Sequence, residues 1–272
     1  KWSFRIGKMY LVWSLIYFAF VFIGWWRLGF PEEKMLHFVH RALVYSTYAT
    51  IWFLPALWVA VSLCYWLRNH CSRWTIFTIM LLLLIIGNLF GSYTYIITRN
   101  DIADSINNLY MAIFTTWRNG IFNGTPFVAI GMLLAVRQPS STTLYKPLLA
   151  TFFFCMAFLA EAFFITRWHL STATDQGFMM APAIFFMLLF LILWDVEAKP
   201  LYTHFRNYSM LIFLGQRLFL TAIPSVLPNK VSETILSLPE PFIYLLFIIV
   251  LLAFSIAIEK LSEKYSFLKI LW

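Results

Sequence analysis

The stretch WTIFTIMLLLLIIGNLFGSYTYI, from Trp74 to Ile96, decides the fold class of this chain. It contains no charged residue and is interrupted by only a few small polar ones. A helix that crosses the hydrocarbon core of a bilayer needs about 20 predominantly apolar residues. The stretch is long enough, and we predict that it is a transmembrane helix.

Seven further stretches have a similar length and apolarity: Met9–Trp26, Thr50–Leu67, Asn119–Val136, Pro147–Thr166, Phe178–Trp194, Ser209–Leu227 and Pro241–Ile258. When the turns between the stretches are assigned alternately to two sides, the side of the N-terminus carries twelve Lys/Arg and four Asp/Glu, and the other carries eight of each. Basic residues are retained in the cytoplasm. The sequence therefore predicts an all-α, polytopic integral membrane bundle of about eight transmembrane helices, with both termini cytoplasmic and residues 1–272 in a single membrane-embedded domain.

Composition supports this class. The chain is 61% hydrophobic and only 12% charged, whereas a soluble domain has about 25% charged residues. The net charge of +8 is explained by the cytoplasmic turns and by attraction to anionic lipid, so a nucleic-acid partner is not needed. The histidines and the three cysteines do not have metal-ligand spacing, and we predict no metal site.

Two segments on the predicted outer side are expected to form helices outside the spans, over residues 30–41 and 101–110. The first is amphipathic and suits the membrane interface. Within the spans, the spacings Gly87-x-x-x-Gly91 and Gly120-x-x-x-Gly124 suggest faces for close helix packing.

Charged side chains inside predicted spans mark candidate sites, because each costs about 2.5–3.5 kcal/mol to insert. Arg217, with Gln216 beside it, lies in one such span, and Glu161 lies in the outer part of another. One interpretation is that Glu161 and Arg217 neutralise each other. The other is that they line a polar cavity that holds a substrate.

Arg118 opens the fourth predicted span, followed by Asn119 and a Gly-rich segment. It could reach the head groups as an interfacial residue or face a ligand.

At the predicted cytoplasmic entry, Arg5 and Lys8 lie about one helical turn apart. Such a pair can bind a phosphate group, although positive-inside anchoring also accounts for it. His37 and His40 are three residues apart on the outer side and form a surface pair or, less expectedly, contain a catalytic base.

Several segments resemble the acyltransferase-3 family of polytopic membrane enzymes. The segment YATIWFLPAL, residues 48–57, resembles the family's WFLPALL segment, and RIGKMY, residues 5–10, resembles its basic Arg-x-x-Arg motif with Lys8 in place of the second Arg. RNGIF, residues 118–122 and running on to Gly131, resembles its RNGxFxxxxFxxxG span, and SMLIFL, residues 209–214, resembles a late span. The resemblance covers essentially the whole chain.

The resemblance implies a multi-pass protein of the bacterial plasma membrane that moves an acyl group from cytoplasmic acyl-CoA, with acetyl-CoA the expected donor, to a hydroxyl of an envelope glycan or a small acceptor outside. Arg5 and Lys8 would then contact the CoA phosphates. Arg118, Glu161 and Arg217 would have catalytic roles, and Asn119, Gln216 and Trp52 would contact substrate. Membrane lipid, acyl-CoA and the acceptor are the expected partners.

Two departures from the family pattern stand out. The first two spans of the family, of which the first carries an Arg and a His implicated in acyl transfer, have no counterpart here, so we expect the sequence to be N-terminally incomplete relative to the family. The His of the late span is replaced by Gln216. In both features the chain resembles the membrane half of vancomycin-resistance serine racemases, which is itself similar to this family. That resemblance implies an alternative: a membrane carrier of a small polar solute such as L-serine, without acyl chemistry. A third interpretation is an inert relative.

Overall fold

The structure is a computed structural model that describes residues 2–48, 50–136, 143–171, 177–194, 197, 199–222 and 239–272. These residues form helices and turns, without a β-strand. The α-helices are α1 (Trp2–Arg27), α2 (Glu32–Val44), α3 (Phe53–His70), α4 (Arg73–Gly91), α5 (Thr94–Ile97), α6 (Asp101–Phe114), α7 (Thr125–Val136), α8 (Tyr145–Arg167), α9 (Met180–Leu193), α10 (Pro200–Arg217) and α11 (Glu240–Lys264). A π-helical turn, Gly120–Gly124, precedes α7, another, Leu218–Ala222, follows α10, and a 3-10 segment, Ser266–Leu271, follows α11.

The all-helical class is confirmed, and four helices, α1, α4, α8 and α11, are long and apolar enough to cross a membrane. The other predicted spans are shorter or more polar in the described residues. Helices α7 and α9 have 12 and 14 residues, α3 ends in Arg68-Asn-His70, and the predicted span 209–227 continues beyond the described residues after 222. The count of eight and the cytoplasmic termini stay predictions.

The sides of α8 and α11 carry apolar side chains that the protein does not cover. Phe152, Phe153 and Phe163 on α8 are each more than half exposed, as are Tyr244 and Ile249 on α11. Large exposed apolar surfaces mark contact with a membrane or a partner. Together with their length, this indicates that α8 and α11 face lipid and that the chain is a membrane protein.

The chain divides into two compact units, and the single-domain organisation stays a prediction. Unit 1 is Lys1–Pro55 with Ala198–Trp272, and unit 2 is Ala56–Glu197. The core of unit 2 combines buried side chains from α3, α4, α7 and α9: Cys64, Leu67, Ile76, Met80, Ala129, Ile130 and Ala181.

Unit 1 is organised around α1. The indole of Trp13 is fully buried and donates to the carbonyl oxygen of Leu271 at 3.1 Å. Tyr17, one turn later and also fully buried, donates to the carbonyl oxygen of Leu214 in α10 at 2.6 Å. Buried polar groups are stable only when hydrogen-bonded. These two bonds therefore fix the 3-10 segment and α10 against α1.

The predicted helices outside the spans are present as α2 and α6, and neither contains a buried residue. Helix α6 begins where the side-chain oxygen of Asn100 accepts hydrogen bonds from the backbone of Ile102 and Ala103, at 3.1 and 3.2 Å. Such a cap satisfies amide groups that have no partner within the helix. It fixes the start of α6, which forms one wall of the candidate site.

Candidate functional site

The connection from α6 to α7, residues 115–119, carries Arg118 in unit 2. Helix α6 ends at Thr115, whose φ of +60° lies in the left-handed region that non-glycine residues seldom adopt. The chain reverses there, and the backbone N–H of Arg118 donates to the hydroxyl of Thr116 at 3.0 Å. This turn holds Arg118 just before the first turn of the next helix.

Trp117 anchors the connection in an aromatic stack. Its ring stacks on Phe90 of α4 and on Tyr110 of α6, with centroids 4.5 and 3.7 Å apart. Its indole N–H donates to the side-chain oxygen of Asn107 at 2.9 Å. Offset stacks of this kind contribute about 0.5–1.5 kcal/mol beyond the burial of area. Trp117 therefore fixes the backbone immediately before Arg118.

Asn119 fixes the other end of the connection that carries Arg118. Its side-chain oxygen accepts from the backbone of Ile121 and Phe122 at 2.9 and 3.1 Å, and its side-chain amide donates to the hydroxyl of Tyr110. Asn119 thus caps the π-helical turn, and in this structure its side chain is engaged by the protein itself. Burial raises the pKa of Tyr110, against the opposing effect of the bond from Asn119, so the phenol is neutral at physiological pH.

The predicted glycine packing face is present after Asn119. A Cβ atom on Gly120 would lie 2.5 Å from the carbonyl oxygen of Ala56, and one on Gly124 would lie 2.9 Å from the Cβ of Ala60. Real Cβ atoms do not approach so closely, so α3 can lie against this turn only because both positions are glycine. Gly87 has a similar role, because a Cβ there would lie 3.0 Å from the Cβ of Phe122.

Arg118 borders a cavity of about 270 Å³ in unit 2. The cavity lies between the end of α4, α5, α6 and the start of the α8–α9 connection, and is lined by Phe90, Gly91, Thr94, Tyr95, Asn107, Met111, Thr116, Trp117, Arg118 and Ser171. Ligand pockets are typically about 300–1,000 Å³ with apolar walls and a few polar groups. This one has room for a single sugar ring or a small acid, but not for a whole CoA molecule.

The chemistry of the cavity is that of binding and charge stabilisation. Its lining residues include three aromatic ones, the cationic Arg118 and the hydroxyl-bearing Thr94, Thr116 and Ser171. A positioned cation can stabilise negative charge on a carbonyl oxygen as a tetrahedral intermediate forms. Among the ten described lining residues there is no His, Cys, Asp or Glu.

Glu161 is connected to the cavity lining through its hydrogen-bond partner Tyr93, which directly precedes the lining residue Thr94. The Tyr93 hydroxyl donates to the Glu161 carboxylate at 2.5 Å, and the backbone N–H groups of Phe178 and Met179 donate to it at 2.8 and 2.9 Å. These partners belong to unit 2, whereas Arg217 belongs to unit 1. The proposed pairing of Glu161 with Arg217 stays a prediction, and the insertion cost of the carboxylate is offset by these three bonds.

The third predicted catalytic residue, Arg217, and the predicted substrate residues Gln216 and Trp52 lie in unit 1. Arg217 is the last residue of α10, has an exposed side chain and is close enough to Tyr17 to interact with it electrostatically. Gln216 beside it is half-buried. Trp52 is half-buried too, and its ring lies 6.2 Å from that of Tyr45.

Arg5 and Lys8 lie on the first turns of α1 with exposed side chains. The guanidinium of Arg5 donates to the carbonyl oxygen of Trp272 at 2.7 Å, and the ammonium of Lys8 lies 4.4 Å from the ring centre of Phe4. The two cations therefore remain accessible to an anion, and Arg5 also has an intramolecular partner.

Sequence reasoning did not identify Tyr93, Gly177, Asn107 or Ser171 as site residues. Tyr93 and Gly177 surround the Glu161 carboxylate, and Asn107 and Ser171 line the cavity. The carboxylate itself was the available signal, since a charge in an apolar helix requires polar partners. The identity of those partners depends on which distant segments meet, which a single sequence does not reveal.

Comparison with known proteins agrees with the motifs quoted above. The model of an acyltransferase domain family, Acyl_transf_3, matches residues 3–260, nearly the whole chain. No curated protein and no solved structure matches the chain. The match includes the first turns of α1, the cavity around Arg118 and most of α11. On this evidence the chain belongs to the acyltransferase-3 family of membrane acyltransferases.

Proposed function

We propose that the protein transfers an acetyl group from acetyl-CoA, on the cytoplasmic side of a bacterial plasma membrane, to a hydroxyl of an envelope glycan or a small acceptor on the outer side. The observation that carries this proposal is the cavity beside Arg118, together with membership of the acyltransferase-3 family. The cavity is too small for CoA, so we assign the acceptor to it.

The reaction requires the acceptor hydroxyl oxygen to attack the carbonyl carbon of the thioester. The carbon–sulfur bond then breaks, CoA leaves as a thiol with the proton of the hydroxyl, and an ester remains. Negative charge develops on the carbonyl oxygen in between. We assign stabilisation of that charge to the guanidinium of Arg118, and binding of the acceptor to the aromatic walls and hydroxyls of the cavity.

We assign the binding of acetyl-CoA, the acyl donor, to the first turns of α1, which carry Arg5 and Lys8. CoA carries several phosphate groups, and Arg5 and Lys8 are exposed one helical turn apart. Charge-assisted hydrogen bonds from such cations to phosphate are stronger than neutral ones. The roles predicted for Arg217, Gln216 and Trp52, which belong to unit 1, stay part of this proposal.

The test compares wild type, Arg118→Ala and Arg118→Lys as complete gene products in membrane vesicles supplied with acetyl-labelled CoA. We expect Arg118→Ala to lower label transfer to envelope material about 10²- to 10³-fold, as for the loss of one oxyanion donor, and Arg118→Lys to retain part of it. Arg99→Ala is the matched control, since Arg99 is exposed and does not line the cavity.

Two results would contradict the proposal. Full transfer by a folded Arg118→Ala protein would remove the assignment of Arg118. Uptake of labelled L-serine by vesicles without any acyl donor, together with an absence of acetyl transfer, would favour the carrier instead.

A further inference from the structure

The Glu161 carboxylate joins three segments of unit 2 that are distant in sequence. It lies on α8 and receives hydrogen bonds from the Tyr93 hydroxyl and from the backbone of Phe178 and Met179. The two backbone donors immediately precede α9, whose own side-chain cap is absent. Helices leave their first N–H groups without internal partners, so a carboxylate at this place stabilises the start of α9.

Gly177 makes room for this arrangement. A Cβ atom at position 177 would lie 2.5 Å from one carboxylate oxygen of Glu161 and 2.8 Å from its carboxyl carbon. A side chain at this position would displace the carboxylate from its three donors. The position therefore offers a means of moving the carboxylate without removing it.

Tyr93 connects the carboxylate to the wall of the cavity. The next two residues, Thr94 and Tyr95, both line the cavity beside Arg118. The same wall is held by two further bonds from the end of the α8 segment: the backbone N–H of Tyr95 donates to the carbonyl oxygen of Leu170, and the hydroxyl of Ser171 donates to that of Gly91, each at 3.0 Å. The wall is thus attached at Gly91 and Tyr95 to the residues that follow α8, and at Tyr93 to Glu161 within α8.

We propose that Glu161 is a positioning residue: through Tyr93 it holds the wall formed by residues 91–97 in the shape that binds the acceptor, and it takes no part in bond making. The functional half of this proposal rests on the proposed acyl transfer. The geometric half, that the carboxylate keeps the wall closed, does not depend on it.

A simpler role would be to cap α9 alone, and Tyr93→Phe distinguishes the two. This substitution removes one hydroxyl and leaves both backbone bonds of Glu161 intact. If Glu161 only caps α9, the cavity wall does not respond to the loss of the hydroxyl. If Glu161 holds the wall, the wall opens. Tyr145→Phe is the matched control, because the Tyr145 ring is exposed at the start of α8.

The experiment measures the opening of the wall by thiol labelling. The substitution Thr94→Cys is made in a chain whose three native cysteines are replaced by alanine, and the new thiol is labelled with a maleimide in membrane vesicles. A cysteine at Leu109, exposed on α6 and outside the cavity lining, serves as the reference site. Labelling is compared among wild type, Glu161→Gln, Gly177→Ala, Tyr93→Phe and two controls: Tyr145→Phe, and Glu33→Gln, whose side chain is exposed on α2. Acetyl transfer is measured in separate vesicles that carry the same substitutions with Thr94 and the native cysteines unchanged.

We expect each of the three site substitutions to raise the labelling rate at position 94 about fivefold, the effect of losing one net hydrogen bond, with no change at position 109. The Glu161→Gln/Tyr93→Phe double variant is expected to differ little from the larger single variant, because both act on one bond. Transfer falls in proportion to the opening.

The outcomes separate the two proposals. Unchanged labelling at position 94 in Tyr93→Phe overturns the positioning role, and if transfer is nevertheless lost in Glu161→Gln, Glu161 acts on the substrate directly. Raised labelling in a protein whose wild type transfers no acetyl group leaves the geometric role standing and overturns the proposed function.

Discussion

The ring of Trp117 lies flat against the ring of Tyr110, with centroids 3.7 Å apart and an interplanar angle of 17°. The contact joins the residue before Arg118 to a helix that begins at residue 101. Because Asn119 also donates to the Tyr110 hydroxyl, both neighbours of Arg118 are attached to the same side chain. Tyr110 therefore sets the position of the Arg118 backbone, from which the guanidinium side chain extends.

Removing the indole of Trp117 is expected to destabilise unit 2. Trp117→Ala removes a buried aromatic ring, and such truncations cost about 3–5 kcal/mol. Trp117→Phe keeps a ring in the stack and loses mainly the bond to Asn107, at about 1 kcal/mol. Trp74→Ala, at a site 81% exposed, is the control. The melting temperatures of the three variants are measured by thermal unfolding in detergent. If Trp117→Ala and Trp74→Ala lowered the melting temperature equally, the aromatic stack would not anchor this connection.

Gly120 and Gly131 are expected to respond in opposite directions to alanine. A Cβ on Gly120 would collide with the backbone of Ala56, whereas nothing lies within 4 Å of one on Gly131. Gly131→Ala is expected to stabilise α7 by about 0.5–1 kcal/mol, because glycine is a poor helix former. Gly120→Ala is expected to lower the melting temperature and to separate α3 from the turn. Equal tolerance at both positions in a thermal unfolding assay would show that α3 does not approach Gly120 this closely.

Thr115→Gly is expected to raise stability. Thr115 has a φ of +60°, and its buried hydroxyl oxygen has no hydrogen-bond partner in the structure. Glycine adopts this conformation without a steric cost and is the usual residue after a helix. We expect a gain of about 1 kcal/mol. Thr98→Gly, at an ordinary φ of −74°, should instead lower stability, and the difference between the two melting temperatures checks the expectation.

Tyr17→Phe should destabilise unit 1 although the substitution removes a single atom. The Tyr17 hydroxyl is buried and donates to the carbonyl oxygen of Leu214, which would lose this bond. An unsatisfied buried group costs about 1–3 kcal/mol. Tyr244→Phe on the lipid-facing side of α11, where the ring is 64% exposed, is the matched control. If both variants unfold at the same temperature as wild type, the bond contributes nothing to unit 1.

Lys8→Gln should weaken the binding of acetyl-CoA and leave the rate of the chemical step unchanged. The side chain is exposed, so its loss should raise the KM for acetyl-CoA about fivefold through one lost charge-assisted bond to phosphate, with kcat unchanged. Lys260→Gln, also exposed, is the control for a general loss of positive charge. A fall in kcat without a change in KM would place Lys8 in a different role.

The sequence was most informative where a segment forms its structure alone. The span predicted over Pro147–Thr166 is realised as α8, Tyr145–Arg167, and Pro241–Ile258 as α11, Glu240–Lys264, because a long apolar run satisfies its own backbone bonds as a helix in lipid. The start of the span predicted at Asn119 is instead a π-helical turn, since the Asn119 cap and the approach of Ala56 decide its geometry.

The candidate site was predictable only in part for the same reason. Arg118 and Glu161 were identified as costly charges in apolar surroundings. The Tyr93 hydroxyl, 68 residues from Glu161, and the aromatic stack around Trp117 depend on tertiary contacts. A single sequence carries no local signal for such contacts.

The π-helical turn at Gly120–Gly124 constrains how this gene can change over evolution. Such a turn contains one residue more than the α-helical turn it replaces, and each residue advances an α-helix by 100°. Deleting one codon for residues 121–123 would let the turn close as an ordinary α-helical turn and leave α7 in nearly the same orientation to Arg118. Among homologues we therefore expect single-residue deletions to be accepted in this interval more often than within α7, where each would rotate the rest of the helix by about 100°.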